Sequence, residues 1–218
     1  MISEKLSLVS DPDTPLGGTA MEFKLTYEGQ LLGASRNNTR AVHKHEIRRK
    51  FHPQLKRLWE IMPALVTREH LFNDEKWQAI RRPYRDYVAD NFQRCGYRFC
   101  PLVTDSLFLH CNLEILFLRA DPPGAIIKSG DMDNRLKTIF DALRIPQNAD
   151  ELGGATPQDG EDPFFCLLED DRAISNLTVE TATLLEPTGD QFDVNDARLI
   201  ISVKLWAYRV LPMNIDFM

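Results

Sequence analysis

Apolar residues recur along this chain in two rhythms. From Glu22 to Tyr27 they alternate, with Phe23, Leu25 and Tyr27 on one side, which predicts a strand. From Val42 to Met62 the spacing turns helical, with Ile47, Phe51, Leu55, Leu58 and Met62 as the apolar stripe. Pro53 falls inside that helix and is expected to kink or divide it. More helix is expected around Trp77 to Phe92, broken near Pro83, with Trp77, Ile80, Tyr84, Tyr87 and Val88 as packing positions. Ser106 to Leu118 alternates most regularly: Leu107, Leu109, Cys111, Leu113, Ile115 and Phe117 share one face, while His110, Asn112 and Glu114 take the other. Met132, Leu136, Ile139, Phe140 and Leu143 then form one stripe of a helix that Asp131 can cap. A last apolar run, Phe164 to Leu168, returns the chain to the core just before Glu169-Asp170-Asp171. Strands are expected over Ile174–Leu184 and Arg198–Tyr208, paired with each other as an antiparallel hairpin.

The order strand, helices, strand, helix, strand, strand predicts an α/β (α+β) fold, a small mixed sheet of about four strands with helices packed on it. A polar tail over 1–20 precedes one domain over 21–218, elaborated by helices in 63–100 and by an exposed insertion in 144–163. With 43% apolar residues the chain can build a core. No apolar run is long enough for a membrane span and no secretory signal is visible, so a cytoplasmic protein without a membrane partner is expected. Cys95, Cys100, Cys111 and Cys166 are not spaced as a disulfide framework. A zinc cluster of Cys95, Cys100, His110 and Cys111 is disfavoured because Cys111 lies on the apolar strand face.

Charge changes this picture. The net charge of −6 hides a balance of +6 over residues 31–60 and of −12 over residues 141–196. A cationic arm can meet phosphates while acids elsewhere hold a metal ion or stay solvated. On charge density, Arg36, Arg40, Lys44, Arg48, Arg49, Lys56 and Arg57 are candidate phosphate contacts.

The candidate chemistry lies in Asp131, Asp133, Asp170 and Asp171, with Lys137 one helical turn beyond Asp133. Carboxylates about 4 Å apart repel by roughly 4 kcal/mol at an effective dielectric near 20, and a divalent cation reverses that sign. Oxygen donors of this kind suit Mg²⁺, which can polarise a phosphoryl oxygen while a lysine stabilises developing charge. Each residue also has a plain reading. Asp131 caps a helix, Asp133 pairs with Lys137 across one turn, and Asp170-Asp171 is a solvated turn.

The run Asp131-Met132-Asp133-Asn134-Arg135-Leu136-Lys137, continued by Phe140-Asp141-Ala142-Leu143 and followed by Asp170-Asp171, resembles the signature of the RusA family of Holliday-junction resolvases. Asn37-Asn38, after the first strand, is similar to that family's Asn-rich loop. The resemblance covers roughly 22–60 and 106–208. It implies metal-binding acids at Asp131, Asp133 and Asp171, with Asp170 as a further candidate, and an essential lysine at Lys137. It implies Mg²⁺, for which Mn²⁺ can substitute, no organic cofactor, and a homodimer, since two opposed strands of a four-way junction require two sites across a dyad. The implied activity is structure-selective cleavage of branched double-stranded DNA in recombination and repair. The chain departs from the family before the Asp-x-Asp motif, where Lys128 stands in place of a run of arginines. That departure and the acidic insertion keep open a DNA-binding module without turnover, and residues 63–100 with the acidic 141–196 segment keep open a protein-interaction protein.

Overall fold

The computed structural model describes residues 21–34, 40–73, 79–120, 131–191, 193–211 and 214–217. In chain order the elements are β1 (Glu22–Gln30), α1 (Ala41–Ile61), α2 (Pro63–Val66), β2 (Glu69–Asn73), β3 (Ala79–Pro83), α3 (Tyr84–Asn91), β4 (Gln93–Arg94), β5 (Tyr97–Val103), β6 (Leu109–Arg119), α4 (Asp131–Leu143), β7 (Phe164–Leu168), β8 (Ile174–Thr183) and β9 (Asp196–Ala207). Among the described residues three sheets form, with strand orders β1-β9-β6-β8, β4-β5-β7 and β2-β3. The architecture is mixed α/β of the α+β kind.

The expected alternation of β6 is realised. Leu109, Cys111, Leu113, Ile115 and Phe117 are all buried, as are Leu199, Ile201, Val203 and Leu205 on β9. With Leu25 and Tyr27 of β1 they form the sheet's inner face, part of a core shared with Ile47, Phe51 and Leu55 of α1 and Ile139 and Leu143 of α4. Cys111 is buried, and all four cysteines are free thiols.

Three expectations are corrected. β8 and β9 do not form a hairpin, because β6 lies between them, parallel to β8 and antiparallel to β9. A strand whose inner face is wholly buried, as that of β6 is, belongs at the sheet's centre. β8, whose Leu177 is 39% exposed, takes the edge. A parallel pair needs a long crossover, and the chain through α4 and β7 supplies it. Pro53 does not divide α1, which runs unbroken for 21 residues. The proline sits on the solvent side, where the carbonyl it leaves without an N–H partner can reach water, while Phe51, Leu55, Leu58 and Trp59 are all buried. Of the helix expected over Trp77–Phe92, Ala79–Pro83 is a strand paired with β2 and α3 begins only at Tyr84, while Trp77 lies outside the described residues.

The insertion over 144–163 is not simply exposed. Leu152 and Glu161 are buried, and Gly153 lies so close to α1 that an added Cβ would come within 2.6 Å of Val42. Among the described residues no helix is long and apolar enough to cross a membrane.

Candidate active site

α4 is an amphipathic helix whose stripe packs as the spacing predicts: Ile139 and Leu143 are buried, and Met132, Leu136 and Phe140 lie partly buried against the same core. The chain leaving β1 is strapped over its first turns. The Ala34 N–H donates to the Asn134 carbonyl at 2.7 Å, and the Thr138 hydroxyl donates to the Leu32 carbonyl at 2.9 Å. Arg40, at the start of α1, reaches back to the Gly33 carbonyl. The two ends of the loop carrying Arg36, Asn37 and Asn38 are therefore fixed beside the start of α4. Those three residues themselves, and Lys128, lie outside the described residues.

Asp133, Lys137 and Asp141 step along one line of α4, but their environments differ. Asp133 and Lys137 are exposed, and among the described residues neither makes an ion pair or a side-chain hydrogen bond. The one-turn pairing that would have explained them as helix engineering is not formed. Asp141, a turn further, is buried under α1 and pairs with Lys44 at 2.6 Å and Arg144 at 3.0 Å. Of Asp131 only the backbone, at the helix start, is described.

The acidic turn follows β7. The Leu168 carbonyl accepts from the Ile145 N–H at 2.9 Å, which ties the end of β7 to the chain just beyond α4. Asp170 caps a short 3-10 turn, Asp171–Ala173, and accepts from the Arg172 N–H at 3.0 Å and the Arg172 guanidinium at 2.8 Å. Gln147 donates to its other oxygen at 3.1 Å. Partial burial alone would raise the Asp170 carboxyl, but the Arg172 hydrogen bonds outweigh it and hold the group below its ordinary range. Asp171 is exposed. The structure thus separates the two: Asp170 shapes the turn and Asp171 faces solvent.

The turn packs against α4 and β6. From outside the turn Asp170 is bonded by Gln147, which lies past the end of α4, whereas Asp133 lies about 15 Å up the helix axis from Leu143 at about 1.5 Å per residue. Among the described residues, no hydrogen bond or ion pair joins Asp133 or Lys137 to the acidic turn, and no three His, Cys, Asp or Glu side chains gather as a metal cage. The Asp131 side chain is not among those described.

The basic arm requires the largest correction. Lys44 and Arg48 are 7% and 1% exposed and face inward. Arg48 donates to the Asp141 and Arg144 carbonyls at 2.6 and 3.2 Å. Neither residue can reach a phosphate. Arg49 forks onto Glu161 at 2.6 and 3.1 Å, and Lys56 reaches the Gly160 carbonyl at 3.4 Å. Arg57 is exposed beside Glu60. The cationic helix and the acidic insertion largely face each other. The opposite balances of the two segments were the signal for that pairing.

Beneath Arg48 and Arg49 lies a buried polar cluster that pattern alone did not mark. His45 meets the Tyr97 hydroxyl at 3.2 Å and Arg48 at 3.1 Å, and His52 accepts from the Phe165 N–H at 2.9 Å. Burial, reinforced by Arg48 and Arg49, pushes His45 down to about 4, and burial also lowers His52. An unfolded chain would protonate these rings near pH 6.5, so between pH 6.5 and about 4 it binds more protons than the folded one. The stabilising effect of the neutral rings is complete above pH 6.5 and is lost as pH falls through that window. The urea midpoint is expected to drop across it, and His45→Gln should flatten the drop. An equal slope in the variant would show that His45 does not carry it.

Compared with family models, with curated proteins and with solved structures, the chain matches none.

Proposed function

We propose that this chain is a Mg²⁺-dependent endonuclease that cuts branched double-stranded DNA as a homodimer, in the manner of the RusA family whose signature it resembles. The observation that carries the reading is the exposed, unpaired state of Asp133 and Lys137 on one line at the start of α4. A carboxylate and an ammonium one turn apart on a helix gain a few tenths of a kcal/mol by pairing. Here they stay apart, and among the described residues neither side chain has a partner.

The donor set fits a hard divalent ion. Asp133 and Asp171 offer exposed carboxylate oxygens, which Mg²⁺ prefers to nitrogen or sulfur. Asp131 and Asp133 would hold the ion at the start of α4, joined by Asp171, as the resemblance implies, once the acidic turn is brought to that end of the helix, and Asp170 would hold the turn that presents Asp171. When bound, the ion supplies Lewis-acid stabilisation of charge on a phosphoryl oxygen. The Lys137 ammonium would lie beside the phosphate and neutralise charge that builds during hydrolysis. Phosphate contact falls to Arg36, Asn37, Asn38 and Lys128, with Arg40, Lys56 and Arg57 at the margin and Arg49 held by Glu161.

The second reading, a protein-interaction module built on residues 63–100 and the acidic 141–196 segment, loses Glu161 and Glu151, which are engaged inside the chain. The deciding assay incubates the full chain with four-way and linear duplex DNA in Mg²⁺ or Mn²⁺. Cutting of the branched substrate is expected. Salt-sensitive binding with no cutting under either metal would overturn the nuclease reading in favour of a DNA-binding module.

A further inference from the structure

A group of rings lies on the face of the main sheet turned away from α1 and α4. Trp206 and His110 are opposite each other on β9 and β6, with ring centroids 5.4 Å apart. Tyr208 lies 4.5 Å from His110, and Phe108 lies 5.6 Å from Tyr208. The rings are held in place. The Trp206 indole N–H donates to the Ser175 hydroxyl at 3.0 Å, Ser175 meets Asn112 at 2.9 Å, and the Tyr208 N–H donates to the Phe108 carbonyl at 3.1 Å. Phe108 keeps a left-handed φ of 53°, uncommon for an aromatic residue. Tyr208 is nonetheless 46% exposed.

Two cations bracket the group. Lys204 precedes Trp206 by two residues on the same face of β9, and the Arg209 guanidinium lies 5.3 Å from the Phe108 ring centroid. On this face Glu22 stands opposite Lys204, and Glu114 lies one row further along β6. Preorganised rings with cations at both ends match the alternation of base and phosphate along an unpaired strand. An aliphatic protein patch or a lipid surface would call for a different composition.

We infer that Phe108, His110, Trp206 and Tyr208, bracketed by Lys204 and Arg209, form a stacking platform for unpaired nucleobases of a single strand. The choice of ligand rests on the nucleic-acid reading above, but binding here does not require cleavage. On a branched substrate the platform would engage bases that have left the duplex.

The test uses the full chain without divalent metal and a fluorescent oligothymidylate of about ten nucleotides, within the usual span of such sites. Binding at low salt is expected. Tyr208→Ala should weaken it about tenfold, with Tyr208→Phe close to wild type, as base stacking predicts. Lys204→Ala with Arg209→Ala should lower the salt slope by roughly 1.4, at about 0.7 per phosphate contact on a single strand. Absence of binding, equal loss in Tyr208→Ala and Tyr208→Phe, or self-association of the chain through these rings would overturn the platform. Oligothymidylate binding without junction cleavage would sink only the nuclease reading, and cleavage without oligothymidylate binding only the platform.

Discussion

Asp133→Asn is expected to reduce Mg²⁺-dependent cleavage of branched DNA by at least about a thousandfold, a barrier increase of about 4 kcal/mol. The fold should not notice. Asp133 is exposed and unpaired, and exposed substitutions without partners change stability by about 0.5 kcal/mol or less. The amide keeps the size and shape of the carboxylate but removes the charge that a hard cation requires. Lys137→Ala should also slow cleavage but leave Mn²⁺ affinity unchanged, because an ammonium does not ligate a cation. Single-turnover rates at saturating Mg²⁺, Mn²⁺ titrations and thermal midpoints separate these effects. Cleavage by Asp133→Asn at the wild-type rate would remove Asp133 from the site and the proposed reaction with it.

Elements whose own residues determine their period were readable in advance. α4 spans Asp131–Leu143 as its apolar stripe requires, and β6 alternates without exception from Leu109 to Phe117. What could not be read depended on partners far along the chain. Nothing local to β8 and β9 says that β6 separates them, since the choice turns on which strand must be buried on its inner side. Nor does a helical spacing around Ile80 reveal that β2 will pair with it.

The candidate site divides in the same way. The exposure of Asp133 and Lys137 follows from their place on the helix, opposite its apolar stripe. The fates of Lys44, Arg48 and Arg49 do not follow from α1 at all. Each is decided by a carboxylate or carbonyl roughly a hundred residues away: Asp141, Arg144 and Glu161. Dense positive charge on a helix face signals a polyanion only when the chain carries no acidic segment of its own to meet it. Here it carries one, and the insertion folds onto the helix.

That burial makes Asp141→Ala the most damaging single substitution for stability. Asp141 sits in a network in which Lys44 and Arg144 bind its carboxylate, Arg144 also binds Glu151 at 2.9 Å, and Arg48 binds the Asp141 and Arg144 carbonyls. Removing the carboxylate leaves Arg144 its Glu151 partner but strands the buried Lys44 ammonium. Breaking one side of such a pair costs about 3–5 kcal/mol, a large part of the 5–15 kcal/mol that holds a domain together. Urea unfolding should show that loss in Asp141→Ala. The double variant Lys44→Met with Asp141→Leu removes both charges together and should recover most of it, because the desolvation penalty disappears with the pair. If the single and double variants are equally destabilised, the damage comes from packing around α4 and not from the uncompensated ammonium. The Asp of the Asp-Ala-Leu run would then be a matter of shape, and the charge pairing between α1 and α4 would contribute little to holding the start of α4 in place beneath the β1 strap.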